Sequence, residues 1–199
     1  MPKKRDHGLI ILFSGGADSI LMLELAIGLK LKPHCVLVEY GQSHIEELNY
    51  ACEYLTKRGI TWDTVKIVGL NVDSGLTGDG VKGKYAGVNE MHVPSRNLMF
   101  VSIAASIAES KGIDTIWLGA NWDDYLNRFE DCKQEWVGRV NKVLRVNGST
   151  KIKLQAPLNG LSKEIITKIL TLGSIDKSQY FSGYGDAGES ESIDPEKEG

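Results

Sequence analysis

The stretch Leu9-Ile10-Ile11-Leu12-Phe13-Ser14-Gly15-Gly16-Ala17-Asp18-Ser19 constrains this chain more than any other. A short apolar run stops at Ser-Gly-Gly and passes directly into Ile20, Leu21, Leu23, Leu25, Ala26 and Ile27 at helical spacing, so it reads as strand, tight turn and helix. Two glycines let the backbone turn sharply and approach a ligand, and the first N–H groups of the new helix point into the turn. Such a turn suits a phosphate or pyrophosphate, with Ser14 and Ser19 adding hydroxyl groups and Asp18 orienting a metal or the loop itself. No Lys follows the glycines as it would in a Walker-type loop, and the spacing is too short for a dinucleotide fingerprint. Asp18 and Ser19 are also ordinary helix-capping residues, but the full string behind a buried-type strand favours phosphate binding.

The rest of the chain repeats the strand-then-helix pattern. Residues 34–40 read as a second strand, followed by Ile45, Leu48, Cys52 and Leu55 at helical spacing and a cationic stop at Lys57-Arg58-Gly59. Residues 61–68 read as a third strand and 114–119 as a fourth. Between them a helix opens at Arg96-Asn97 and carries Phe100, Ile103, Ala104, Ile107 and Ala108. Asp131-Cys132 is expected to open another helix, bearing Trp136, Val140, Val143 and Leu144. Ser162 caps a last one, with Ile165, Ile166 and Ile169 on one face. Such alternation predicts an α/β fold, a parallel sheet with helices on both faces and ligand sites beyond the carboxyl ends of the strands. Residues 69–92 are glycine-rich without periodicity and read as a mobile cover over the site.

Composition narrows the function classes. The 199 residues, 42% of them hydrophobic, suffice for one domain with a substantial core. A formal charge of -3 gives no general attraction to nucleic acid, and no direct nucleic-acid partner is expected. The apolar run behind the N-terminus is too short for a secretory signal or a membrane span, so a cytoplasmic protein without membrane association is expected. Cys35, Cys52 and Cys132 lie far apart, which argues against a disulfide framework or a local zinc knuckle; Cys35 and Cys52 read as small buried hydrophobes.

Polar clusters recur at the predicted strand ends. Tyr40-Gly41-Gln42-Ser43-His44 follows the second strand, and Asn121-Trp122-Asp123-Asp124 follows the fourth. Arg96 sits near a helix start, where an exposed Arg is commonplace but its planar fork also suits phosphate or carboxylate. Lys163 reads either as a surface lysine or as a phosphate ligand.

The string Ser14-Gly15-Gly16-Ala17-Asp18-Ser19 resembles the pyrophosphate loop of the ATP pyrophosphatases, which cleave ATP between the α and β phosphates to adenylate a substrate. With Tyr40-Gly41-Gln42, His44, Glu47, Val93-Pro94, Arg96-Asn97, Gly119-Ala120-Asn121, Asp124-Tyr125, Asp131-Cys132, Pro157-Leu158 and Lys163 in order, the chain resembles one branch, the 7-cyano-7-deazaguanine synthases. The resemblance implies an adenine-nucleotide α-hydrolase-like fold and an ATP- and Mg2+-dependent ligase. It would adenylate the carboxylate of 7-carboxy-7-deazaguanine, admit free ammonia to give the amide, and use a second ATP to reach the nitrile. It also implies a homodimer. ATP would lie on Phe13, Ser14, Gly15, Gly16, Ala17, Asp18, Ser19, Tyr40 and Arg96, with Ser14, Asp18, Ser19, Arg96 and Lys163 in catalytic roles and Gln42, His44, Asn97, Asn121, Asp124 and Asp131 on the substrate.

Departures accompany the matches. Ala17 stands where the family usually has Gln, Ser95 where it has Gly, and Arg128-Phe129-Glu130 replaces a Gly-Tyr-Pro run. At the carboxyl end, where relatives carry four zinc-binding cysteines, Gly183, Ala187, Ser190 and Ile193 occupy the corresponding places and cannot form zinc–thiolate bonds. The expectation is a synthase domain over 1–180, no structural zinc, and a flexible acidic remnant over 181–199. An enzyme that stops at the amide, another adenylating ligase, and a silent nucleotide-binding relative are the alternatives.

Overall fold

The computed structural model describes residues 8–42, 45–70, 93–126, 129–147 and 152–180. Most of the expected cover over 69–92, His44, and the whole of 181–199 lie outside the described residues.

Five strands form one parallel sheet in the order β3-β2-β1-β4-β5. They are β1 (Gly8–Leu12), β2 (Lys32–Glu39), β3 (Thr61–Lys66), β4 (Thr115–Trp117) and β5 (Lys153–Gln155). Their helices are α1 (Ala17–Gly28), α2 (Ile45–Arg58), α3 (Arg96–Lys111), α4 (Trp122–Leu126), α5 (Gln134–Asn147) and α6 (Lys163–Leu172). β1 is the central strand, which explains its unbroken apolar run: side chains alternate between two covered faces. Leu9, Ile11 and Phe13 pack with Cys35 and Leu37 under α1, α2 and α6. Ile10 and Leu12 pack with Val36, Ile116 and Leu154 under α3 and α5.

The chain runs outward from β1 through β2 to β3, then returns to β4 on the other side of β1. The strand order therefore reverses between β1 and β4. Loops leaving these two strands diverge to opposite sides and leave a crevice at their carboxyl ends, the place where open parallel sheets hold ligands.

Four sequence expectations change. Asp131-Cys132 does not open the long helix: Glu130–Cys132 is a separate 3-10 turn, and Lys133 is extended at φ -80 and ψ 144 before α5 begins. On α6 the buried residues are Ile166 and Leu170, while Ile165 and Ile169 remain partly exposed because the face meeting α1 is offset. On α2 the fully buried pair is Ala51 and Leu55, and Cys52 is only half-buried; Cys35 is buried as expected. The short strand β5 and helix α4 were not anticipated, since three and five residues show no resolvable periodicity. Among the described residues no helix is long and apolar enough to cross a membrane.

Candidate active site

The turn after β1 is held open by its own hydroxyl groups. Phe13 continues the sheet through its N–H to Val36 O at 3.0 Å, and Gly15 then turns at φ +89. The Gly15 N–H donates to Ser19 Oγ at 2.9 Å, and the Ser19 hydroxyl donates to Gly16 O at 2.9 Å. Ser19 is buried, so its hydroxyl staples the loop onto the first turn of α1. Ser14 is exposed, and its Oγ accepts the Gly16 N–H at 3.3 Å. Among the described residues no side-chain cap hydrogen bond is made at Gly16, the N-cap of α1, which leaves the N–H groups of the helix start for a ligand. That is the electrostatic setting an oligophosphate needs. A β-carbon on Gly15 would stand 3.0 Å from Ala51 Cβ, so the loop lies directly on α2.

The opposite wall comes from the loop after β4. Asn121, fully buried, caps α4 by accepting the Asp124 N–H on Oδ1 at 3.0 Å, and its Nδ2 donates to Asp18 Oδ2 at 3.1 Å. Asp18 Oδ1 is shut off from solvent and has no hydrogen-bond partner among the described residues. Burial, then the negative charge of Asp124, pushes the Asp18 carboxyl up to about 6; Lys163 and the Asn121 amide oppose this. Burial also raises Asp124, whose Oδ1 lies 3.6 Å from Lys163 Nζ. Asp123 Oδ2 fixes the start of α6 by accepting the Lys163 N–H at 2.5 Å. Asp18 on α1, Asn121 and Asp124 at the start of α4, and Lys163 on α6 therefore meet, three segments brought to one point.

A third group closes the far side. Arg96 begins α3 and its Nη1 reaches Tyr40 Oη at 3.4 Å, while the Tyr40 ring leans on Phe100 with centroids 5.3 Å apart. Ser95, just before it, adopts a left-handed conformation at φ 56. The backbone geometry thus explains why Gly suits this position. Glu47, half-buried in the first turn of α2, feels the Arg96 charge, yet burial still pushes its carboxyl up to about 7. Asn97 is buried with Nδ2 at 3.9 Å from Cys132 Sγ, and the Cys132 thiol is driven upward by burial and by the Asp124 and Asp131 carboxylates. Cys132 is thus a packed thiol and no thiolate nucleophile.

Gln42 lies at the end of β2, but its amide is spent locally: Oε1 accepts the Tyr40 N–H at 2.8 Å and Nε2 donates to Val38 O at 3.4 Å. Asp131 is half-buried beside Cys132, and the Asn159 side chain ties down the Cys132 carbonyl. Sequence reasoning gave Glu47 no role, because a first-turn Glu is routine as a helix-dipole partner; only its burial distinguishes it from exposed Glu46. Among the described residues no cluster of three or more His, Cys, Asp or Glu side chains is arranged to hold a metal ion by itself.

Comparison with known proteins agrees with this geometry. The family model described as queuosine biosynthesis protein QueC matches residues 8–193. The chain is 33% identical over 200 residues to the 7-cyano-7-deazaguanine synthase of Polynucleobacter asymbioticus, covering 92% of this chain and 80% of that one. It is 31% identical over 184 residues to the synthase of the same name from Marinobacter nauticus, covering 88% and 82%. Among solved structures, the U34-tRNA thiolase NcsA of Methanococcus maripaludis shares the fold, with a TM-score of 0.60 at 16% identity. That match covers 90% of this chain and spans 60% of the thiolase chain. With a pyrophosphate-loop crevice at the sheet's switch point and a family match along almost its whole length, the chain belongs to the QueC family, the 7-cyano-7-deazaguanine synthases.

Proposed function

We propose that this chain is an ATP-dependent ligase that converts 7-carboxy-7-deazaguanine and ammonia to 7-cyano-7-deazaguanine through an adenylated acid and an amide. The carrying observation is the buried, orphaned Asp18 Oδ1 beside Asp124 and Lys163 and next to an uncapped helix start, in a chain of this family. The N–H groups of the Ser14–Ser19 turn receive the phosphates of ATP, and Arg96 and Lys163 neutralise the approach of the acid's carboxylate to the α-phosphate. Adenylation converts a poor leaving oxygen into a good one. Asn97, Asn121, Asp124 and Asp131 frame the deazaguanine, Gln42 shapes the turn after β2 beside them, and His44, which lies outside the described residues, is assigned to the same substrate.

The donor set fits Mg2+: Asp18 and Asp124 offer hard carboxylate oxygens near the phosphate position, and Mg2+ prefers one or two carboxylates completed by phosphates and water. Bound there, Mg2+ would offset charge on the phosphates and on the departing pyrophosphate. Asn121 keeps Asp18 turned so that its orphaned oxygen remains available.

Residues 1–180 form the catalytic domain in this reading, and 181–199 is a zinc-module remnant without stoichiometric zinc. Gly183, Ala187, Ser190 and Ile193 stand at the ligand positions. The enzyme works in the cytoplasm as a homodimer, by family likeness. The test is incubation with ATP, Mg2+, ammonium and 7-carboxy-7-deazaguanine, followed by mass spectrometry and metal analysis. Nitrile with AMP and no bound zinc is expected. Absence of AMP would refute the ligase, amide alone would identify an enzyme arrested after one round, and chelator-resistant zinc at one per chain would refute the remnant.

A further inference from the structure

Glu47 is placed by the helix that carries it. Ala51 is fully buried, and its β-carbon would be 3.0 Å from one on Gly15, so this face of α2 rests on the turn after β1. Glu47 lies one helical turn earlier on the same face, and side chains on a helix lean toward its N-terminus. That turn stands just after the end of β2, beyond the carboxyl edge of the sheet. Glu47 therefore projects past Gly15 toward the crevice, while its neighbour Glu46 is exposed. Arg96 faces it from α3, and Tyr40, held to Arg96 at 3.4 Å, comes from the end of β2. A carboxylate serving only the helix dipole gains nothing from burial, and Glu46 already occupies that exposed role.

We propose that Glu47 binds the ammonium ion and takes its proton, delivering ammonia to the activated carboxyl group; this rests on the amidation reading above. Ammonia is almost wholly protonated at neutral pH, and ammonium has no lone pair for attack. One N–H bond of ammonium breaks and its proton passes to a Glu47 Oε. The freed lone pair forms the C–N bond at the acyl carbon, the acyl C–O bond breaks, and its electron pair leaves with AMP. The second proton shed by nitrogen goes to water. Arg96 is engaged by the acyl phosphate at that stage, so it does not repel the entering cation. Burial that pushes Glu47 up to about 7 matches a base working near neutrality.

The amidation step consumes ammonium, whereas conversion of the amide to the nitrile does not, so one preparation contains its own reference. For Glu47→Gln, amide formation from the acid should fall about 10²-fold relative to nitrile formation from supplied amide. The KM for ammonium should rise, activity should recover as alkaline pH supplies free ammonia, and Glu47→Asp should restore part of the rate. Equal loss in both half-reactions, or a raised KM for the deazaguanine acid with that for ammonium unchanged, would overturn the proposal. Failure of the unaltered chain to form AMP with the acid would instead remove the amidation reading, and this role with it.

Discussion

Replacing Gly15 by Ala tests whether the turn after β1 is a rigid seat built against α2. At φ +89 an L-residue costs roughly 1–2 kcal/mol. The new methyl would lie 3.0 Å from Ala51 Cβ and 3.3 Å from Ala51 Cα and N, so helix backbone must move, at roughly 1–3 kcal/mol more. A loss of about 2–5 kcal/mol follows, which in a domain of this size lowers Tm by about 5–15 °C. The neighbouring Gly16→Ala is the control: Gly16 has φ -76, and its added methyl would meet only Ser14 Oγ at 3.4 Å. It should cost at most about 1 kcal/mol, from a poorer helix cap. Urea unfolding of both variants at equal m-value, with ATP binding measured calorimetrically, reads the two effects separately. Loss of ATP affinity in Gly16→Ala at near-normal stability would report close approach of phosphate to the backbone. If Gly15→Ala unfolds within 0.5 kcal/mol of the parent, or Gly16→Ala costs as much, the loop does not rest on α2 in this way.

Four further outcomes follow from the site. Asp18 is raised from 3.8 to about 6, so the native state holds a proton that the unfolded chain has released; stability should fall as pH rises from about 4 to about 6, by up to about 3 kcal/mol. Glu47 adds a decline of the same sign up to about pH 7, and Asp18→Asn should abolish only the lower one while ending adenylation, as denaturant midpoints against pH and AMP release would record. Asn121→Ala should cost about 1–3 kcal/mol and raise the Asp18 carboxyl further, visible as the same pH transition displaced upward. Ser95→Gly, which relieves a left-handed backbone at φ 56, should stabilise by about 0.5–1 kcal/mol in thermal unfolding, and an unchanged or lower Tm would refute the strain. Removing the α6 cap in Ser162→Ala, where Oγ accepts the Ile165 N–H at 3.3 Å, should cost about 1 kcal/mol by the same assay.

The candidate site was legible wherever chemistry and chain position coincide. Ser14 to Ser19 is contiguous, so a turn suited to phosphate can be read from neighbouring letters; Asn121, Asp124 and Arg96 announced themselves only as polar residues at predicted element ends. Gln42 shows the limit of that reasoning, since its place at a strand end was correct while its amide closes the turn beneath it. Asp131-Cys132 shows another, because a one-turn 3-10 segment and a helix start share the same local composition. Glu47 gave no signal at all beyond its place in the motif series, for nothing near it in sequence distinguishes it from Glu46.

By itself the sequence determined the alternating parallel architecture, the unbroken run of the central strand, the phosphate turn and the family, because side-chain periodicity and turn chemistry act over a few residues. Only the tertiary structure decided that β4 returns beside β1 to open the crevice, that Asn121 reaches Asp18 across 103 residues, and that burial pushes the Asp18 carboxyl up to about 6 and that of Glu47 up to about 7. Desolvation and charge coupling depend on what packs against a group, and those neighbours come from distant parts of the chain.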